Sequence, residues 1–311
     1  SMRHGGTITR GDYETDMMRG TRSAMTSSML AWRDNASALS MRSRALRHGA
    51  ESGAWAQIFG GRNKYDGSNT KITGNLYGVQ LGYDRAYENG WSAGVSFDYA
   101  EGSSDYQGVG KGDNKQYSVG IYGSKALRGG AYLDIAAKVG QVDNDFTAYN
   151  MLGQELKGDY KTTGHSVSVQ YGQRIGSAAK SYVEPQVQLT WAHINGKDYD
   201  AHRGADVMHI EQDAFDSLVG RLGVEVGTQT ARGGFYANFS LSHEFSGDVS
   251  ASYRAKDGGE KRTSYGLRDT WADLTLGGYY SLNRDCSVHA DLTRTLAGDY
   301  QHQWKAQIGL R

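Results

Sequence analysis

The sequence predicts an all-β fold: a twelve-stranded antiparallel up-and-down barrel crossing a membrane, with an N-terminal α-helix inside its lumen. Three observations carry this prediction. From Gly53 onward apolar and polar residues alternate with a period of two, which sends them to opposite faces of a pleated strand. Many of these stretches run 10 to 18 residues, whereas strands of soluble proteins usually run about 5 to 6. The connections between them alternate between tight turns and long polar segments, as in a meander with all its turns at one end.

Composition agrees. Among 311 residues there are 43 glycines, 21 tyrosines and one proline, and the mean hydropathy of −0.63 is too low for a thick conventional core. No run approaches the roughly 18 to 20 apolar residues of a membrane-spanning helix, and there is no secretory signal pattern. The single cysteine, Cys286, excludes an internal disulfide framework. A formal charge of zero gives no reason to expect a nucleic-acid partner. Ser1-Met2 reads as a cloning remnant, so residues 1–11 are taken as tag or as the end of a preceding segment, 12–50 as a helical leader and 51–311 as the barrel.

In the leader, Met17, Thr21, Met25, Met29, Trp32, Ala36 and Leu39 recur every three or four residues, which is helical spacing. Asp12, Glu14 and Asp16 stand near its start and Arg42, Arg44 and Arg47 near its end, the order that suits a helix dipole. One helix is expected, firmest over 23–40, with Gly20 weakening its first turns by about 1 kcal/mol relative to alanine. The leader is basic. Residues 1–50 hold eight arginines, no lysine and four acids, leaving 26 basic and 30 acidic residues in the remainder.

The strands are expected at 53–62, 72–86, 90–104, 113–128, 130–147, 158–176, 181–196, 214–231, 233–248, 268–282, 286–297 and 299–311. Tight turns fall at 88–90, 128–130, 177–179, 232–234 and 283–285, where glycine, asparagine, aspartate and serine gather. Long loops are expected at 63–71, 105–112, 148–157, 197–213 and 249–267; the last connection, 297–299, is short where the pattern asks for long. Pro185, inside a strand, forfeits a ladder hydrogen bond, and a bulge is expected to absorb it.

Aligning the faces separates two surfaces. One carries Tyr77, Val79, Leu81, Tyr83, Leu133, Ile135, Val139, Val183, Val187, Leu189, Leu222, Val224, Val226, Phe239, Leu241, Ile308 and Leu310; the other carries an ionisable group on nearly every strand. An apolar exterior and polar interior are what a membrane barrel requires. Trp55, Tyr83, Trp91, Trp191, Trp271 and Trp304 are expected to form the interfacial girdles. A twelve-stranded lumen is too wide for its own side chains to fill, and the leader helix, about 10 Å across, is its expected occupant. Its arginines Arg19, Arg22, Arg33, Arg42 and Arg44 are expected to meet Asp98, Asp134, Glu184, Glu225, Glu244, Asp273 and Asp291 of the wall.

A helical leader, a start of the form SGAWAQIFGG (52–61) and twelve amphipathic strands ending in WKAQIGLR (304–311) together resemble the translocator domain of the autotransporters, the type V secreted proteins of Gram-negative bacteria. The resemblance covers nearly the whole chain. It implies an integral outer-membrane anchor, partnered by the bilayer and its lipopolysaccharide, the barrel-assembly machinery and periplasmic chaperones, that exports an N-terminal passenger to the cell surface. Family members commonly finish on an aromatic residue; this sequence stops at Arg311. No cofactor and no enzymatic activity are implied. Some autotransporters release the passenger when an asparagine of the linker attacks its own peptide bond; Asn35, followed by Ala36, is the residue here that matches, although the paired asparagines of the cleaving subgroup are absent. The alternatives are a twelve-stranded diffusion channel and a barrel phospholipase.

Two other features weigh less. His202, His209, Glu211 and Asp213 share one loop but match no tight metal-ligand spacing, and no metal site is assigned. Arg10-Gly11-Asp12 spells an integrin-type tripeptide that chance explains.

Overall fold

Long alternating strands must pair on both sides, and a closed wall leaves no edge unpaired in lipid. The computed structural model describes residues 6–8, 14–67, 69–177, 180–256 and 258–311. Its wall consists of β1 (Ala54–Gly67), β2 (Thr70–Ala86), β3 (Trp91–Tyr106), β4 (Gly110–Ala126), β5 (Ala131–Tyr149), β6 (Glu155–Gln173), β7 (Ser181–Ile194), β8 (Phe215–Gln229), β9 (Gly233–Glu244), β10 (Thr270–Ser281), β11 (Ser287–Ala297) and β12 (Tyr300–Leu310). Each pairs antiparallel with the next. β12 then returns to β1, with Leu310 opposite Ala56 and Tyr300 opposite Tyr65, and the barrel is closed. The guanidinium of Arg311 fastens this seam by donating to the Ser52 carbonyl at 2.7 Å.

All twelve strands lie where the alternation places them, and the differences are local. The expected long loops are largely ordered. Residues 63–71 belong mostly to β1 and β2, whereas 197–213 and 249–267 fold as hairpins, Lys197–Arg203 with Asp206–Gln212 and Asp248–Ala255 with Glu260–Gly266. The two hairpins pair with each other, His209 opposite Arg254, so the sheet rises above the barrel on one side. Polar loop composition concealed them because a strand outside the membrane has no need of an apolar outer face. No bulge forms at Pro185: the β6 ladder pairs Gly172 with Gln186, skips two residues, and resumes in the same register at Ile175 and Val183. Interrupting the ladder removes the demand for the missing N–H without adding a residue. Ala178 and Ala179 of the expected turn lie outside the described residues.

The leader forms two helices. Thr15 caps α1 (Asp16–Asn35), its hydroxyl accepting from the Met18 amide at 3.1 Å. After Asn35 the chain tightens into i→i+3 turns, with the amide of Ala38 donating to Asn35 and that of Ser40 to Ser37, before α2 (Ser40–Arg47) begins. Ser37 drives the break by donating its hydroxyl to the Asp34 carbonyl at 3.1 Å, a local bond that competes with helix continuation. Gly20 proves to be a packing residue: a Cβ there would lie 2.3 Å from the Val109 carbonyl oxygen and 2.6 Å from Ala148 Cβ.

The two surfaces separate as alternation requires. Trp32, Met25 and Met29 are buried in the lumen, while Val95 is 57 % exposed, Ile121 63 % and Leu222 65 % on the outside. On β3 the outward set runs from Trp91 to Tyr99 before Glu101 follows, roughly 27 Å of strand at about 3.4 Å per residue. That matches an apolar band of about 25 Å. Trp55 and Trp271 leave the expected girdle. Trp55 is buried and donates to the Tyr122 hydroxyl at 2.7 Å, and Trp271 lies under the Arg33 guanidinium. Each shares its inward parity with a lumen residue, Gln57 and Asp273 respectively.

Candidate functional site

The site is the lumen and the helix pair within it. α1 starts among the residues of the long-connection end, beside Val109 and Ala148. α2 ends at the short-turn end, where Arg47 reaches Asp134. α1 packs chiefly against β4 and β5, and a polar cavity of about 200 Å³ remains beside the helices, bordered by Thr190, Arg221, Asp273, Lys305 and Gln307.

Four arginines join helix to wall. Arg33 lies 3.3 Å from Glu244, which also accepts from the Ser217 hydroxyl and the Leu218 amide. Arg42 forms a bidentate pair with Asp84 at 2.7 and 2.8 Å. Arg44 lies 3.0 Å from Glu225 and 3.8 Å from Asp291, and Arg47 pairs with Asp134. Inward tyrosines extend the contacts: the guanidinium of Arg44 sits 4.6 Å above the ring of Tyr236 and that of Arg47 3.9 Å above Tyr132. Buried carboxylates at 0 % exposure, such as Glu225 and Glu244, persist because each is paired and hydrogen-bonded.

Several expected partners differ. Arg19 pairs with Asp16 on its own helix, and Arg22 with Glu14 at 2.5 Å under the ring of Tyr265; both sit above the acidic part of the wall. Among the described residues Asp98 meets no arginine. It takes Lys138 of the wall at 2.8 Å, the Ser118 hydroxyl at 2.5 Å and the Asn35 amide at 3.0 Å. Glu184 pairs with Arg174 at 3.0 Å, and Asp273 accepts from the Thr295 hydroxyl at 2.6 Å. Cations in the wall thus neutralise two acids that composition assigned to the helix. Asp84 was missed although it shares the parity of Gln80, and Arg47 lay in the leader's basic end without being assigned a partner.

Asn35, the last residue of α1, is the most densely bonded helix residue at the break. Its side-chain nitrogen donates to Asp98 and, at 3.1 Å, to Gln116. Lys138 donates to its backbone carbonyl at 3.1 Å and its side-chain oxygen at 2.9 Å. Arg10-Gly11-Asp12 lies outside the described residues.

Comparison with known proteins gives one consistent answer. The profile of the family described as Autotransporter beta-domain matches residues 54–293. The pertactin autotransporter of Bordetella parapertussis is 30% identical over 290 residues, which cover 90% of this chain and 31% of that protein. BrkA autotransporter of Bordetella pertussis is 30% identical over 224 residues, 68% of this chain and 22% of that one. Among solved structures, the translocator domain of autotransporter NalP from Neisseria meningitidis superposes with a TM-score of 0.71 at 12% identity, covering 93% of this chain and 98% of that chain. The chain spans about a third of the length of the pertactin relatives.

Proposed function

This chain belongs to the autotransporter β-domain family, and we propose that it is the exporting end of a longer polypeptide, with its passenger preceding the leader helix. As a translocator β-barrel it is an integral outer-membrane protein. The observation that carries the export reading is the direction of the helices. α1 begins at the end of the long connections, which faces the cell exterior in barrels of this kind, so any segment before Asp16 emerges at the surface. The same lumen explains retention: Arg33, Arg42, Arg44 and Arg47 anchor the trailing helices to acids of the wall. A diffusion channel has no use for such a fixed occupant. Lipopolysaccharide, the barrel-assembly machinery and periplasmic chaperones are the partners this role requires. In planar bilayers, deleting residues 1–47 raises conductance sharply; an unchanged conductance would remove the plug from this reading.

A second reading concerns release, and the surroundings of Asn35 favour it. Self-cleavage requires the side-chain nitrogen to attack the Asn35 carbonyl carbon. That nitrogen loses its proton, the bond to Ala36 breaks, and the Ala36 nitrogen gains a proton as it leaves, producing a succinimide. Asp98 accepts from the attacking nitrogen and Lys138 donates to the attacked carbonyl, which are the positions of a base and of a stabiliser of developing oxyanion charge. On this reading the barrel cuts its own linker once and turns over no substrate.

A further inference from the structure

We propose that the outer hairpin Lys197–Arg203/Asp206–Gln212 carries a site for a divalent transition-metal ion, with Asp198, His209 and Glu211 as ligands and Asp200 as the residue that orients His209. The register builds the site. Asp198 lies directly opposite Glu211, and Asp200 directly opposite His209, so all four project from the same face of two adjacent strands. One ligand atom from each of Asp198, His209 and Glu211 falls within 4.8 Å of the others, the span of a single coordination sphere.

The histidine is already arranged for the task. Its Nδ1 lies 2.8 Å from Asp200 Oδ1, which leaves Nε2 turned toward Glu211 at 3.7 Å. A carboxylate behind a histidine fixes the tautomer and ring plane in metal sites. The like-charged pair Asp198 and Glu211 supplies a second reason. Like charges facing each other across two strands destabilise a hairpin, and a bound dication reverses the sign of that interaction. Arg254, opposite His209 on the neighbouring strand, forms no ion pair with Asp198 or Glu211 among the described residues.

The platform is rigid. Tyr199, Ala201 and Ile210 of the alternate parity are buried beneath the hairpin, and they hold the ligands in place without the metal. One nitrogen and two carboxylate oxygens, completed by water, suit zinc. The ion would staple the two strands on the hairpin face opposite the one whose buried residues share a core cluster with α1. The other two residues of the loop that could have been ligands stand apart: His202 faces Val207 and Lys157, and Asp213 is taken by Arg262.

The test uses the whole chain in detergent, stripped with EDTA and titrated with zinc chloride by calorimetry, with heat-modifiable gel migration confirming a folded barrel in every variant. One equivalent binds to the wild type. That equivalent is lost in His209→Gln and in Glu211→Gln, and Asp200→Asn binds it about 10- to 100-fold more weakly. Zinc also slows amide exchange within 197–212 in the wild type alone. Absence of stoichiometric uptake, or uptake unchanged in His209→Gln, overturns the assignment; an unchanged affinity in Asp200→Asn removes its orienting role.

Discussion

Lys138 of β5 donates to both oxygens of Asn35, at 3.1 Å to the backbone carbonyl and 2.9 Å to the side chain. A wall lysine therefore grips the residue at which α1 ends. In a longer chain that retains its passenger, mass spectrometry is expected to find a break between Asn35 and Ala36, absent in Asn35→Ala and strongly slowed in Asp98→Asn. An intact wild-type chain would sink self-cleavage and leave Asn35 as an anchoring residue.

Arg44 and Glu225 form a buried pair, 12 % and 0 % exposed at the side chain. Removing one partner strands the other, which costs about 3–5 kcal/mol in buried pairs. Arg44→Met is expected to release the helices, seen as added conductance and a lower denaturation midpoint. The double variant Arg44→Met/Glu225→Gln recovers part of the loss, because Glu225 is no longer stranded as a charge while Asp291, 3.8 Å from Arg44 in the wild type, still loses its partner.

Gly20→Ala sets helix propensity against space. Alanine favours the helix by about 1 kcal/mol, but its Cβ would lie 2.3 Å from the Val109 carbonyl oxygen, a backbone atom that cannot rotate away. The variant is expected to seat α1 poorly and to show transient channel openings in bilayers. Closed behaviour equal to wild type would show that the contact yields.

Neighbouring positions on β3 are expected to respond in opposite ways. Val95, opposite Ile121 on the outer face, loses about 2–4 kcal/mol on replacement by arginine if it lies near the bilayer midplane. Ser96 faces the lumen, and its hydroxyl has no partner among the described residues. Ser96→Ala is therefore near neutral. Urea titrations of folding into lipid vesicles measure both.

The wall was legible in the sequence because its cause is local. Alternation of Trp91, Ala93, Val95, Phe97 and Tyr99 with smaller and polar residues reports which face meets lipid, whatever the neighbouring strand is. Residue type misled for Trp55 and Trp271: it suggested a girdle, while parity placed them inside. Parity was the better guide. The outer hairpins were hidden, since both faces of a strand beyond the bilayer tolerate polar residues.

By itself the sequence determined the strand number, the lipid-facing surface and a basic helix beside an acidic wall, each fixed by periodicity and charge along one chain. Which charge meets which was decided by the tertiary structure. Asp98 exchanged a helix arginine for Lys138, Glu184 for Arg174, and Asp84 received Arg42, because barrel stagger and the break after Asn35 set the depth and rotation of each group. Pairing across a lumen depends on distances between strands remote in sequence, and no local pattern encodes them.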